Sequence, residues 1–195
     1  MKANYINIPS EEACRRIISD MGMLDNIVAH CKQVCRVSLF LTDHLGISGL
    51  NRELILAAAL LHDITKTRSL HTNENHAETG AQLLKELGYP EVADIIGQHV
   101  RLNHYDFVSD TPTDAQIVNY SDKRVLHDKI VPLNDRMGYI LERYGNTQER
   151  KQLIRILWEK TQQLEDRLFT GLPFSPDDII KLLSCEEESG VKSLT

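Results

Sequence analysis

Hydrophobic residues recur every three or four positions along most of this chain, which is the spacing of a helix with one buried face. The clearest stripe runs from Met23 to about His44 and predicts a long helix. The next segment, which Asn51 is expected to cap, is apolar almost all the way round, so we expect that helix at the centre of the core. No segment alternates convincingly between polar and apolar residues. The pattern therefore predicts an all-α protein without strands.

Capping and helix-breaking residues delimit the other predicted helices. These helices cover about residues 10–20, 76–88, 91–102, 115–127 and 147–170, with a last short helix ending near residue 184. The polar residues 65–75 are expected to form a loop, and the ambiguous stretch 132–145 is expected to contain one short helix.

The chain is long enough for one packed domain, and we expect a single helical bundle. Residues 1–22 would add an N-terminal helix to a core formed by 23–130. Residues 131–184 would complete the domain with C-terminal helices, and 185–195 would form a flexible tail.

The net charge of −6 and the pI of about 5.7 argue against an extended nucleic-acid partner, which normally needs a basic face. A small anionic substrate stays compatible, because a bound metal supplies its own positive charge. No apolar stretch approaches the roughly 20 residues of a membrane span, and the N-terminus lacks a signal-peptide core. We therefore expect a cytoplasmic protein that binds no membrane.

The buried central helix ends in His62-Asp63, two groups whose burial is costly unless something compensates them. The other predicted helices offer further imidazoles and carboxylates, and together the candidate metal ligands are His30, His62, Asp63, His76, His99 and Asp122. Such ligands favour iron, manganese, cobalt, nickel or zinc over calcium, and magnesium is retained as a candidate. Spacing alone leaves open the alternative of hydrogen-bonded core histidines.

The segment "LLHDITK", preceded by His30 and followed by Asp122, resembles the HD superfamily of metal-dependent phosphohydrolases, whose signature is H…HD…D. The segments "NHAETGAQLL" and "IIGQHV" are similar to the extra histidine pair of the HDIG-like subgroup with two metals. Thr65 stands where HDIGK has glycine. Val100 stands where some HD phosphodiesterases have a second histidine.

The resemblance implies an HD-type bundle with the metal site at its centre. One divalent ion would be held by four of the residues: His30, His62, Asp63 and Asp122. A second ion would share Asp63 and add His76 and His99, with His104 as a further ligand or a substrate contact. Whether one or two ions bind, and which metal they are, stays open.

Four basic residues lie close in sequence to the proposed ligands and are candidates to bind phosphate oxygens: Lys66, Arg68, Arg101 and Lys123. The alternative for each is a solvated charge. In the catalytic interpretation, Asp63 orients or deprotonates water and Lys66 holds the phosphate.

These observations predict a metal-dependent hydrolase acting on a phosphate ester or anhydride of a small, nucleotide-type molecule. Two alternatives stay open: a di-iron oxygenase of the HD type, and a non-catalytic metal-binding sensor or scaffold. The charged helix 147–170 is expected to pack on the core, with formation of a homodimer through it as the alternative.

Overall fold

Helices account for most of the computed structural model, which describes residues 6–105 and 111–188, and the all-α prediction is confirmed. The helices are α1 (Glu11–Asp20), α2 (Asp25–Leu45), α3 (Arg52–Leu61), α4 (Lys66–Thr72), α5 (His76–Glu86), α6 (Pro90–Ile96), α7 (Asp114–Asp122), α8 (Leu133–Tyr144), α9 (Gln148–Phe169) and α10 (Asp178–Glu188). A short antiparallel hairpin of β1 (Val125–Leu126) and β2 (Lys129–Ile130) lies between α7 and α8.

Helix α3 lies at the centre of the core, as its nearly uniform apolar character predicted. It packs against α1, α2, α6 and α7, and seven of its ten residues are buried. The Asn51 side chain accepts a hydrogen bond from the Leu54 amide at 3.1 Å, so the predicted cap is present. The backbone N–H of Asn51 donates a hydrogen bond to the Asp114 carboxylate at 3.0 Å, which connects the beginning of α3 to the beginning of α7.

The prediction of no strands is wrong for the segment after α7. The helix predicted over 115–127 ends at Asp122, and the chain turns at His127, whose φ of +56° is the left-handed conformation. Val125 pairs with Ile130, and Leu126 pairs with Lys129. With only two residues in each strand, the hairpin is too short to produce a recognisable alternating pattern.

Four other predicted segments also differ from the structure. The expected loop 65–75 contains α4, which has no buried residue and so no apolar stripe for the sequence to reveal. The helix predicted over 91–102 ends at Ile96, and all of Leu133–Tyr144 is helical. Helix α10 continues to Glu188, while the remaining tail prediction, for 189–195, lies outside the described residues.

A buried arginine joins the C-terminal helices to the core. The fully buried guanidinium of Arg124 donates to the Tyr120 hydroxyl at 2.8 Å and to the Glu165 carboxylate on α9 at 3.0 Å. It also donates to the Pro176 carbonyl, just before α10, at 2.9 Å. These contacts fix α9 and α10 beside α7, the helix that ends in Asp122.

None of the helices in the described part of the chain combines the length and the hydropathy that a membrane span requires.

Candidate metal centre

The structure brings the six predicted metal ligands together in the core, and most of them lie at helix ends. His30 comes from the body of α2, and His62-Asp63 follow the last turn of α3. The remaining three are His76 at the first position of α5, His99 just after α6 and Asp122 at the last position of α7. Side chains at helix ends can point along the helix axis, so several helices can supply groups to one point.

The first group of side chains consists of His30, His62 and Asp122, which are all buried. His30 Nε2 lies 3.0 Å from Asp122 Oδ1, and His62 Nε2 lies 3.9 Å from the same oxygen. Asp63 Oδ2 faces this group, 3.7 Å from His62 Nε2.

The second group consists of His76 and His99 around the other oxygen of Asp63. Asp63 Oδ1 lies 3.1 Å from His76 Nε2 and 3.4 Å from His99 Nε2, and the two nitrogens are 3.1 Å apart. Ligands about 2.1 Å from a metal and at right angles to each other stand about 3 Å apart, so this triangle has the dimensions of a ligand set. Asp63 thus presents one oxygen to each group.

Backbone carbonyls determine which ring nitrogen is free in three of the histidines. The Nδ1 atoms of His30, His62 and His99 lie 2.6–2.9 Å from the carbonyl oxygens of His127, Ala59 and Ile96 respectively. Each Nδ1 therefore carries hydrogen and donates it, and Nε2 is left to point its lone pair into the site. This is the arrangement expected of metal-binding histidines, in which the second ring nitrogen is held by the protein.

Two buried acceptor atoms in the centre lack a partner. Within residues 6–105 and 111–188, neither His62 Nε2 nor Asp63 Oδ1 makes a hydrogen bond of acceptable geometry, in spite of the short distances around Asp63. Burying an unsatisfied polar atom costs roughly 1–3 kcal/mol. A cation between these atoms would satisfy them, so the residues present fit a divalent metal.

The protonation states are those that a metal requires. Burial lowers the pKa of His62 to about 3 and also lowers the pKa of His76, so both imidazoles are neutral. Burial acts to raise the pKa of Asp63, but the charge interaction with His62 and the hydrogen bonds that His76 and His99 donate when they carry a proton on Nε2 hold that pKa well below its usual range.

The pKa values of Asp122 and His30 shift in opposite directions. Against the effect of burial, Lys123 and His30 keep the pKa of Asp122 well below its usual range. Burial alone would lower the pKa of His30, but the hydrogen bond and charge of Asp122 raise it above its ordinary value. A proton on His30 and a metal ion would therefore compete for the same nitrogen.

Thr65, the residue that departs from HDIGK, holds the second group in place. Its buried hydroxyl donates to the His76 carbonyl at 2.8 Å and lies 2.9 Å from the Thr79 hydroxyl, which fixes the beginning of α5. The φ of Thr65 is −103°, so no glycine is needed at this position. Gly80 packs against the same turn, where an added Cβ would stand 3.3 Å from Ile64.

Of the predicted phosphate-binding residues, Lys66 lies at the centre. Its ammonium is 3.2 Å from His76 Nε2, and it begins α4 rather than lying in a loop as expected. Lys123 is also adjacent, but its buried ammonium donates to Asp122 at 2.7 Å and to the His99 carbonyl at 2.8 Å. That geometry suits the positioning of two ligands better than the predicted contact with substrate.

The other predicted residues lie away from the centre. Arg68 is in an exposed ion pair with Glu74 at 2.6 Å. Arg101 and His104 are exposed and line a separate cavity of about 180 Å³ with Lys160. The structure therefore does not bring His104 to the second group.

Sequence reasoning missed one charged residue that the fold brings to the site. Arg136 on α8 places its Nη2 3.6 Å from Asp122 Oδ1. Arg136 follows Asp122 by fourteen positions and lies in the stretch 132–145, whose sequence pattern is ambiguous. No local signal therefore identified it.

Residues 27–125, just over half of the chain, match the family described as HD domain. The chain therefore belongs to the HD-domain family, as its HD motif indicated. The matched segment contains all six of the predicted ligands.

Individual relatives are more distant. The chain is 27% identical over 187 residues to a tRNA (cytidine(56)-2'-O)-methyltransferase of Picrophilus torridus, a match that covers 89% of this chain and 50% of that protein. It is 32% identical over 98 residues to ribonuclease Y of Treponema denticola, which covers 50% of this chain and 18% of that protein. The chain thus spans half or less of the length of these two relatives.

Among solved structures, the chain is similar to the crystal structure of a predicted HD superfamily hydrolase from an uncultured Thermotogales bacterium. The sequence identity is 18% and the TM-score is 0.48, with 84% of this chain and 94% of that chain covered.

We predict that Asp63→Ala removes bound metal from both groups, because Asp63 is the residue that faces both. Metal analysis after reconstitution with Mn²⁺ and desalting measures this loss, and the isosteric Asp63→Asn variant should show most of it. Asp20→Ala, at an exposed carboxylate on α1, is the control and should bind metal as the wild type does. Wild-type metal content in both Asp63 variants would contradict the proposed ligand set.

We also predict that His76→Ala and His99→Ala each lower the metal content from two ions per chain toward one. The first group would still hold its ion, because His30, His62 and Asp122 are unchanged. Titration with Mn²⁺ monitored by electron paramagnetic resonance gives the stoichiometry of each variant. If the wild type and both variants each bind one ion, the site is mononuclear and these histidines have another role, and two ions in all three would likewise exclude the histidines as ligands.

Proposed function

We propose that the protein is a metal-dependent hydrolase that cleaves a phosphate ester or anhydride of a small, nucleotide-type molecule. The observation that carries this proposal is the position of Asp63, whose two carboxylate oxygens lie near imidazole nitrogens of two separate groups. A site with this arrangement suits two divalent ions on either side of one carboxylate.

Divalent metal bound by these residues would supply a nucleophile from water at neutral pH and a counter-charge for phosphoryl oxygens. The role of the chain is to position the reactants. Asp63 is ionised, because its pKa lies well below its usual range. It therefore suits orienting a water molecule by accepting a hydrogen bond from it, rather than carrying a proton of its own. Lys66, beside His76, would bind a phosphoryl oxygen as a point charge.

The names of the relatives suggest which phosphate linkage to test. Ribonuclease Y is a nuclease by name, so a phosphodiester belongs beside monoesters and anhydrides among the substrates. The match to the methyltransferase covers only half of that protein's length, so methyl transfer is not proposed for this chain. The net charge of −6 favours a small substrate over a long nucleic acid.

A second candidate function is oxygen activation by a di-iron site. It rests on the nitrogen-rich ligand set, since four imidazoles with two carboxylates also suit iron. Hydrolysis consumes no O₂, so the two functions differ in a property that can be measured directly.

The experiment that tests the proposal begins with metal analysis of protein purified with and without air. Nucleoside mono-, di- and triphosphates, a dinucleotide and a short oligoribonucleotide are then assayed with each metal restored. Phosphate or nucleotide release under anaerobic conditions supports the hydrolase. O₂ consumption with a mixed-valent iron signal supports the oxygenase, and stable metal binding without turnover supports a sensor or scaffold.

We predict that Lys66→Ala lowers kcat/KM by roughly 10- to 150-fold, because a charge-assisted contact is typically worth about 1.5–3 kcal/mol. Steady-state kinetics measure the effect, and Lys85→Ala, at an exposed lysine on α5, serves as the control. Metal content should not fall, since the ammonium is not a ligand. Unchanged kinetics would exclude Lys66 from substrate binding, whereas a large loss of stability would make it a structural partner of His76.

A further inference from the structure

Arg136 extends from α8 to the edge of the metal centre. Its Nη2 atom is 3.6 Å from Asp122 Oδ1, which is within ion-pair distance but longer than a hydrogen bond. Its guanidinium carbon lies 5.9 Å from the centroid of the Tyr139 ring, one turn further along the same helix. The Tyr139 ring in turn contacts the ring of His127, with 5.4 Å between centroids.

Asp122 does not depend on Arg136 for a counter-charge. Its Oδ2 accepts a hydrogen bond from the buried ammonium of Lys123 at 2.7 Å. Its Oδ1 lies 3.0 Å from His30 Nε2, the atom expected to share a metal ion with it. Arg136 is therefore a positive charge beyond what the Asp122 carboxylate requires.

The charge around the whole centre supports the same conclusion. Beside its two buried carboxylates the centre has three cationic side chains: Lys123 and Arg136 face Asp122, and Lys66 lies beside His76. Divalent metal would add further positive charge. In the described part of the site the positive charge thus exceeds the negative charge, which favours an anionic ligand.

Arg136 also has donor capacity that the fold leaves unused. Its Nε is shielded from solvent and has no hydrogen-bond partner among the described residues. The guanidinium carries five N–H groups in a planar fork that matches the oxygens of a phosphate. A buried donor that lacks a partner is costly unless a ligand satisfies it.

We propose that Arg136 binds the anionic phosphoryl group of the ligand from the Asp122 side of the centre. This inference rests on the proposed function and assigns a binding role to a residue outside the metal-ligand set. Lys66 lies beside His76, a member of the second group, and Arg136 lies beside Asp122, a member of the first. A phosphoryl group bound across the two groups of ligands would contact Lys66 at the second group and Arg136 at the first. The contact with the Tyr139 ring would orient the plane of the Arg136 guanidinium.

The test measures binding of inorganic phosphate to Mn²⁺-loaded protein by isothermal titration calorimetry, so it does not depend on turnover. Arg136→Met should raise the Kd for phosphate by about 10- to 150-fold. Arg136→Lys should raise it less, because it keeps the charge but loses the planar fork. Arg143→Met, at an exposed arginine of the same helix, is the matched control and should bind phosphate as the wild type does.

Metal content and melting temperature of each variant separate a binding role from a structural one. Wild-type phosphate affinity in Arg136→Met, or a loss of metal that accounts for its weaker binding, would overturn the inference and make Arg136 a counter-charge of Asp122. If Arg136→Met does not fold, Arg136→Lys decides: weaker phosphate binding at unchanged melting temperature supports the inference, and unchanged affinity contradicts it.

The same data distinguish this inference from the proposed function. Arg136-dependent phosphate binding without hydrolysis of any tested substrate would refute the hydrolase and leave the inference standing. Hydrolysis with phosphate affinity unaffected by Arg136→Met would refute the inference alone. A wild-type protein that binds no phosphate would contradict the inference directly.

Discussion

The arrangement of this protein's core depends on one buried carboxylate. Asp63 is only 8% exposed, yet it is ionised and has an imidazole nitrogen near each of its oxygens. A carboxylate in an apolar interior is tolerated only when it is compensated, and the hydrogen bonds of the described chain leave its Oδ1 unsatisfied. A shared divalent cation would satisfy it, so the fold is best understood as a scaffold that holds ligands around this group.

The scaffold acts through helix ends and backbone carbonyls. The carbonyl oxygens of Ala59 and Ile96, each three residues before the histidine it contacts, fix the tautomers of His62 and His99. The hairpin after α7 has the same role at longer range, because the His127 carbonyl accepts a hydrogen bond from His30, 97 positions away in sequence. Lys123 and Thr65 then connect ligands from different helices, so that the position of each ligand depends on several elements.

The sequence predicted the helical fold, and it identified the candidate ligands that the structure brings together, because both produce local signals. The apolar helix ending in His62-Asp63 was evident from its residues, and the HD resemblance then connected it with His30 and Asp122. Helix α4 was missed because none of its residues is buried, and the hairpin because its strands have two residues each. The contact of Arg136 and the positioning role of Lys123 depend on tertiary geometry. Nothing in their local sequence indicates which group each side chain reaches.

The central claim is the proposal that the residues around Asp63 would hold two divalent ions, one near each carboxylate oxygen. Anomalous diffraction from crystals of the Mn²⁺-loaded protein tests it most directly, because manganese positions are then located independently of activity. We predict two anomalous peaks, one beside Asp63 Oδ2 with His30, His62 and Asp122, and one beside Oδ1 with His76 and His99. A single peak, or peaks that Asp63 does not contact, would contradict the account.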